Sequence, residues 1–343
     1  MAISSVLGSS ALLPAGLGFR NVLINGNFDI WQRGTSTFSN VSSGSFSSDR
    51  AYNSYSGTSV NMNVSRDTGV PDVRSKYSIK YQQLTSNATS VTEYAYRQYI
   101  EGTNAVGLYG RTVVLSFWYK SNKTGSHGVR IYGAYATGGV DFTTTFTVSA
   151  ADTWEYKTIT TASAFGSITA NPVSPTDPGA LVAVGFCTAS GVGFSSITAN
   201  DYFQISQIQL EANRQPTPFE QRPIGVELAL CQRYYEDSVT TSSTIGANVG
   251  LGGNTYCAPT FFKVTKRIQP TSINGANDTS GNIGVWNNVG AAGSVSYYQG
   301  GWTNVHTSMT FDWYGTWGFA LTTTGGLTDA DLVAFRYAYS AEL

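Results

Sequence analysis

Charge is scarce in this 343-residue chain. Only 12% of residues are Asp, Glu, Lys or Arg, and twenty basic side chains stand against twenty-one acidic ones for a net charge of −1. No basic run of five or more occurs, which argues against duplex DNA or an anionic membrane as primary partner, because both select clustered Lys and Arg. Cysteine is nearly absent. Cys187, Cys231 and Cys257 are too few and too scattered for a disulfide scaffold or a structural zinc site, and read as buried, reduced thiols. Two histidines, His127 and His306, lie far apart, so neither a His-based triad nor a metal centre has material to work with. No metal site and no cofactor are expected. An unbroken apolar run of membrane length is also missing. Residues 1–18 are small and apolar, but Pro14 interrupts them and no positive charge precedes them, so they fit neither a signal peptide nor a span. They read as an attachment arm buried against a partner chain.

What the chain has in quantity is Gly, Tyr and Phe, 37, 21 and 17 residues, a palette of turns and strands. Short alternating stretches recur at 77–84, 91–100, 113–119, 128–136, 153–161, 180–188 and 201–210, with Gly, Ser, Asn and Pro between them. Val113, Leu115, Phe117 and Tyr119 share one strand face, and Trp118 makes the other face apolar as well. Residues 213–223 hold Pro216, Pro218 and Pro223 and form a stiff boundary. Ile224, Leu228, Cys231 and Tyr235 then recur at helical spacing in a helix over 224–237 that must dock on something. Strand candidates resume beyond it, including a hairpin at 296–302 turning at Gly300 and Gly301.

The expected fold is therefore all-β: an antiparallel jelly-roll sandwich, a short helix, and a second, smaller β-sandwich. The expected division is an arm at 1–20, the jelly roll at 21–212, a Pro-rich linker with the helix at 213–237, and a C-terminal β domain at 238–343.

Chemistry is sparse. There is no nucleophile elbow, phosphate loop or dinucleotide fingerprint, and no catalytic residue is assigned. Glu93, Glu101, Asp141, Asp152, Glu155 and Asp201 are candidates for a glycosidase pair, but spacing along the chain brings no two of them together. A sugar-binding surface has better supply: Trp286, Trp302, Trp313, Tyr314 and Trp317 crowd the last fifth of the chain, with rings suited to stack on a pyranose face. The loop 274–282 is oxygen-rich but lacks the spacing of a calcium-binding loop and reads as turn chemistry.

Two stretches, NVLINGNFDIWQR (21–33) and QIQLEANRQPTPFEQRPIGVELALCQRYYE (207–236), resemble paired signatures of bacteriophage and prophage tail-fibre or appendage proteins. Asn25, Gly26, Phe28, Trp31, Gln32 and Arg33 match the opening signature. Gln207, Leu210, Glu211, Thr217, Pro218, Phe219, Glu220 and Arg222 match the closing one, and Cys231, Arg233, Tyr234 and Tyr235 a C-x-R-Y-Y motif. FFKVTKRIQPT (261–271) and the ending YAYSAEL resemble later segments of the same proteins, while Ala51 and Asn213 depart from the pattern. The resemblance implies a carbohydrate-binding-module-like jelly roll bracketed by an opening and a closing strand, homotrimerisation, and a virion protein assembled in the host cytoplasm. Its partners would be further copies of itself, other virion proteins through residues 1–20, and a host surface glycan, with no nucleic acid and no membrane insertion. In a trimer, Ile224, Leu228, Cys231 and Tyr235 would meet along the axis; the alternative is that the helix packs on its own jelly roll. Arg33 is expected to pair with Glu211 or Glu220 and tie the first strand to the last. A decoration protein without a receptor role and a polysaccharide depolymerase are the competing functions.

Overall fold

The computed structural model describes residues 19–133, 140–162, 165–166, 178–188, 191–238, 244–247, 249–250, 255–269, 272–274, 282–286, 295–298, 304–306, 309–324 and 332–342. The arm at 1–18 and the turn at Gly300 and Gly301 lie outside them.

The first sandwich has eleven strands: β1 (Tyr52–Thr58), β2 (Met62–Asp67), β3 (Ser78–Gln83), β4 (Thr89–Glu101), β5 (Val114–Ser121), β6 (Gly125–Gly133), β7 (Val140–Val148), β8 (Glu155–Thr160), β9 (Pro178–Thr188), β10 (Val192–Gly193) and β11 (Tyr202–Glu211). One sheet runs β1-β4-β9-β6-β7 with β10 beside β9, and the other runs β2-β3-β11-β5-β8. Every pairing in both is antiparallel, the jelly-roll arrangement. Alternation decides which side chains meet: Leu115, Phe117 and Tyr119 of β5 and Phe203 and Ile205 of β11 face Tyr94, Tyr96, Val129, Ile131, Val182 and Val184 of the opposite sheet, all fully buried. All seven stretches with strand periodicity contain strands; β1, β2, β7 and the short β10 add four that periodicity does not single out.

The opening segment is the first departure. Residues 21–33 form no strand. Asn25 (φ 58°) and Phe28 (φ 56°) take left-handed backbone, and Asn25 side-chain bonds replace a ladder. Its Nδ2 donates to the Ile30 and Asp49 carbonyls at 2.9 and 3.0 Å, and its Oδ1 accepts the Ile30 N–H at 3.0 Å. The closing segment is likewise no free linker. Glu220 accepts the backbone N–H groups of Arg20 and Asn21, and the Arg222 guanidinium donates to the Leu23 carbonyl at 3.1 Å. Glu211 turns inward onto Thr217.

The helix spans Ile224–Gln232, shorter than its periodicity predicts. Leu228 and Cys231 pack within the chain on Ile24, Ile30 and Tyr234, while Ile224 is 61% exposed. Tyr235 leaves the helix altogether and begins a strand, Tyr235–Asp237, paired with the last strand of the chain, Leu332–Ser340. The stripe expected on a trimer axis is thus divided: within the chain Cys231 is buried and Leu228 partly buried, Tyr235 is strand, and Ile224 alone stands open.

The second sandwich is built around that last strand, which pairs with Tyr235–Asp237, Thr244–Ala247, Asn282–Trp286 and Val295–Tyr298. Val295–Tyr298 pairs antiparallel with Asn304–His306, the two strands flanking the expected turn at Gly300 and Gly301. A four-stranded sheet, Val249–Gly250, Thr255–Phe261, Gly318–Thr324 and Met309–Gly315, completes it.

A buried ionic junction joins the two sandwiches. Glu342 accepts the Arg50 guanidinium and, at 3.3 Å, that of Arg33; the three side chains are at most 5% exposed. Burial, the largest single influence, would lower the Arg50 pKa, but the Glu342 carboxylate and the Tyr234 and Cys231 side chains together outweigh it and raise the value. Arg33 therefore pairs with neither Glu211 nor Glu220, because those carboxylates are committed to the closing segment. The Tyr235 ring lies 3.6 Å under the Arg33 guanidinium and the Tyr234 ring 3.6 Å under that of Arg50. Gln32 bridges Asp49, at 2.6 Å, to the Tyr235 carbonyl, at 2.8 Å. Arg267 donates to the Ala341 and Glu342 carbonyls, and Arg233 pairs with Glu101 at the end of β4. Alongside, fully buried Lys266 and Glu236 pair at 2.6 Å, and burial pulls the lysine down to about 8.

Cys187 and Cys231 are buried free thiols, and burial raises both their pKa values. His127 is a core residue: Nδ1 accepts the Tyr119 hydroxyl at 2.9 Å, Nε2–H donates to the Lys123 carbonyl at 2.8 Å, and Phe146, Phe186 and Phe194 surround it. Burial pushes its pKa down to about 4, the Lys123 bond acting weakly the other way.

Two outcomes follow for stability. Glu342→Gln removes the carboxylate shared by two buried guanidiniums and should destabilise the chain by about 3–5 kcal/mol in urea denaturation, whereas the exposed pair Arg74–Asp72 should lose under about 1 kcal/mol in Arg74→Ala. An unfolded imidazole titrates near 6.5, so the fold holds His127 neutral where the unfolded chain binds a proton. Stability is then full above about pH 6.5 and falls by up to about 3 kcal/mol as pH drops to about 4. His127→Gln should flatten that slope.

Candidate functional site: a tyrosine-lined sheet face

The outer face of the β1-β4-β9-β6-β7 sheet carries a second apolar cluster, separate from the core. Ala95, Leu181 and Ala183 form its floor, and Tyr99 and Tyr132 pack against them. Register explains the grouping. Tyr99 of β4 and Tyr132 of β6 both pair with Leu181 of β9, and Arg97 and Arg130 both pair with Ala183, so two equivalent rows cross the sheet. Ala95 pairs with Gly185, where a Cβ would come within 2.3 Å of the Tyr94 carbonyl oxygen. Ala183 and Gly185 on the central strand are small, and the long side chains stand on the flanking strands.

The rim is aromatic and charged. Tyr52 of β1 meets Tyr99 edge-to-face at 5.3 Å and Phe46 at 5.4 Å. Arg97 pairs with Glu93 and donates to the Tyr99 hydroxyl at 2.9 Å. Burial presses the Arg97 pKa down, and Glu93 and Tyr99 more than restore it, a net rise. Across the face, Arg130 grips Asp141 with two bonds of 2.9 and 2.7 Å and lies 4.9 Å from the Tyr132 ring centre. Hydrogen bonding from Arg130 lowers the Asp141 pKa, and burial, followed by Tyr99, raises that of Tyr52. Both arginines are thereby held as fixed planar donors beside half-buried rings.

The junction sets this face. Arg50 donates to the Tyr99 carbonyl at 2.5 Å, and Arg233 holds Glu101 two residues further along β4. Chemically, rings above an apolar floor can stack on a sugar face while guanidinium and carboxylate groups take its hydroxyls.

The residues expected from sequence fall elsewhere. Trp302 lies outside the described residues. Trp286, Trp313 and Tyr314 lie on strands of the second sandwich, with their side chains outside the described set. Trp317 is 52% exposed at the turn between two of those strands, where it tilts against Phe261, itself 68% exposed, at 5.8 Å. Nothing described brings the four other aromatics to it. Of the candidate carboxylates, Glu101 pairs with Arg233, Asp201 with Lys123 and Glu155 with Lys157, while Asp152 accepts the Tyr202 hydroxyl. Glu93 and Asp141 share the tyrosine face, each bound to an arginine. Sequence reading missed Tyr52, Tyr99 and Tyr132. The alternation Ala95, Arg97, Tyr99 was present in β4, but only the pairing with β9 and β6 gathers the three rings.

No protein-family model matches the chain, and no curated protein matches it in sequence. Solved structures with partial similarity include the enzymatically active domain of bacteriophage CBA120 tailspike protein 4, at 18% identity and TM-score 0.30 over 51% of this chain. That match spans 21% of the tailspike chain. TmCBM61 in complex with β-1,4-galactotriose aligns at 15% identity and TM-score 0.32 over 57% of this chain and 100% of its own. A family 11 carbohydrate-binding module from Clostridium thermocellum, in complex with a β-1,3-1,4-mixed-linked tetrasaccharide, aligns at 9% identity and TM-score 0.30 over 53% of this chain and 99% of its own.

Proposed function

We propose that the protein is a tail-fibre or appendage subunit of a tailed bacteriophage that attaches to a host surface glycan without cleaving it. The observation that carries glycan binding is the tyrosine face: Tyr52, Tyr99 and Tyr132 around an Ala95–Leu181–Ala183 floor, with Arg97 and Arg130 locked beside them. This moves the leading contact from the C-terminal aromatics to the jelly roll. The virion role rests on the sequence signatures of the opening, closing and C-x-R-Y-Y segments, and with it come homotrimerisation and attachment through residues 1–20.

The decoration reading expects the C-terminal aromatics to be internal; exposed Trp317 and Phe261 favour a surface that meets something outside the chain. For a depolymerase, the carboxylates on the tyrosine face would have to leave their arginine partners before either could act as an acid or nucleophile.

The test is binding of neutral oligosaccharides by calorimetry, with reducing-end release measured in parallel. Tyr132→Ala should weaken binding about tenfold or more, equivalent to about 1.4 kcal/mol, with unfolding unchanged within about 0.5 kcal/mol, and no reducing ends should appear. Binding that is unaffected by Tyr132→Ala and Tyr52→Ala would overturn the site, and sugar release would overturn the non-cleaving role. Light scattering should return three times the 36.7 kDa chain mass; a monomer would contradict the trimer.

A further inference from the structure

The opposite sheet has its own exposed face. Outward positions of β3, β11, β5 and β8 are Lys80, Tyr202, Gln204, Trp118, Lys120 and Tyr156, opposite in parity to the core residues Tyr81, Phe203, Ile205, Phe117 and Tyr119. Trp118 and Tyr156 form a tilted ring pair at 5.4 Å, and Tyr156 is 45% exposed. Lys80 sits 4.3 Å from the Tyr202 ring centre, and Lys120 5.6 Å from that of Trp154.

These two lysines differ from the arginines of the tyrosine face. Neither enters an ion pair with a carboxylate among the described residues. Of the acidic groups nearby, Glu155 holds Lys157 and Asp201 holds Lys123, while Asp67, which accepts the Gly69 N–H at 2.6 Å, and Asp152, which accepts the Tyr202 hydroxyl, lie beside Tyr202. Gln204 lies between the lysines in register, paired with Lys80 on one side and Lys120 on the other. It is 2% exposed, and its Oε1 has no hydrogen-bond donor. Two inter-strand spacings separate the lysine-bearing strands by about 10 Å, the span of two sugar units.

We propose that this face is a second glycan site, selective for an acidic, carboxylate-bearing polysaccharide. Trp118, Tyr156 and Trp154 stack on its rings, Lys80 and Lys120 take carboxylates on alternate units, and Gln204 Oε1 accepts a hydroxyl. The site is independent of the tyrosine face, and its ligand is the charged counterpart of the neutral glycan proposed there.

The experiment uses the full chain, with polygalacturonate as probe, neutral galactan as comparison and polyglutamate as a charged polymer without sugar rings. Calorimetry of the Lys80→Ala/Lys120→Ala double variant should show at least a tenfold loss for polygalacturonate, Tyr156→Ala a smaller one, and Tyr132→Ala none. Raising salt from 50 to 200 mM should weaken the wild type as well. The proposal is overturned if polygalacturonate does not bind, if the double variant and Tyr156→Ala bind as the wild type does, or if polyglutamate binds equally well. Loss in Tyr132→Ala alone would place the acidic ligand on the tyrosine face and overturn the second site, while leaving the first intact.

Discussion

One carboxylate, Glu342, sits at the point on which the described structure converges. Two guanidiniums from the stretch ahead of β1, Arg33 and Arg50, meet it in a region that is almost fully buried, and Tyr234 and Tyr235 cover both with their rings. Buried charges of this kind cost several kcal/mol each in desolvation, so such an arrangement persists only when every partner is present together. Arg267 secures the backbone on either side of Glu342, and Gln32 ties Asp49 to the Tyr235 carbonyl. The start of the first sandwich, the exit of the helix and the end of the chain are therefore one mechanical unit.

That unit reaches the surface where sugar chemistry is available. Arg50 grips the Tyr99 carbonyl, and Arg233 grips Glu101 on the same strand. The rim of the tyrosine face is thus positioned from the side facing the second sandwich, while Arg97 and Arg130 are held in place by Glu93 and Asp141. A rigid, partly desolvated set of rings and guanidiniums loses little conformational freedom when a ligand binds, which is the condition for useful affinity from a small contact area.

The strands of the first sandwich were legible because alternation of buried and exposed side chains is a local property, as in Leu115, Phe117 and Tyr119. Arg33 was legible as a structural tie, Cys231, Arg233, Tyr234 and Tyr235 as one motif, and Arg267 only as part of a later segment of the same resemblance. Their partners were not. Arg33 and Glu342 are 309 positions apart, and nothing local distinguishes Glu342 from Glu211 or Glu220 as the acceptor. Helical spacing carried Tyr235 into the helix because periodicity cannot register a strand partner at Ser340. The tyrosine face was hidden for the same reason: Tyr52, Tyr99 and Tyr132 lie on three strands, and their company is set by the pairing of β1, β4, β9 and β6.

Hydroxyl-radical footprinting of the full chain, with and without a saturating neutral oligosaccharide, bears on the central claim most directly. The account predicts that Tyr52, Tyr99 and Tyr132 lose reactivity together, while Tyr156 and Trp317 keep theirs. Protection confined to Trp317 and Phe261, with the three tyrosines unchanged, would contradict it and place the glycan on the second sandwich.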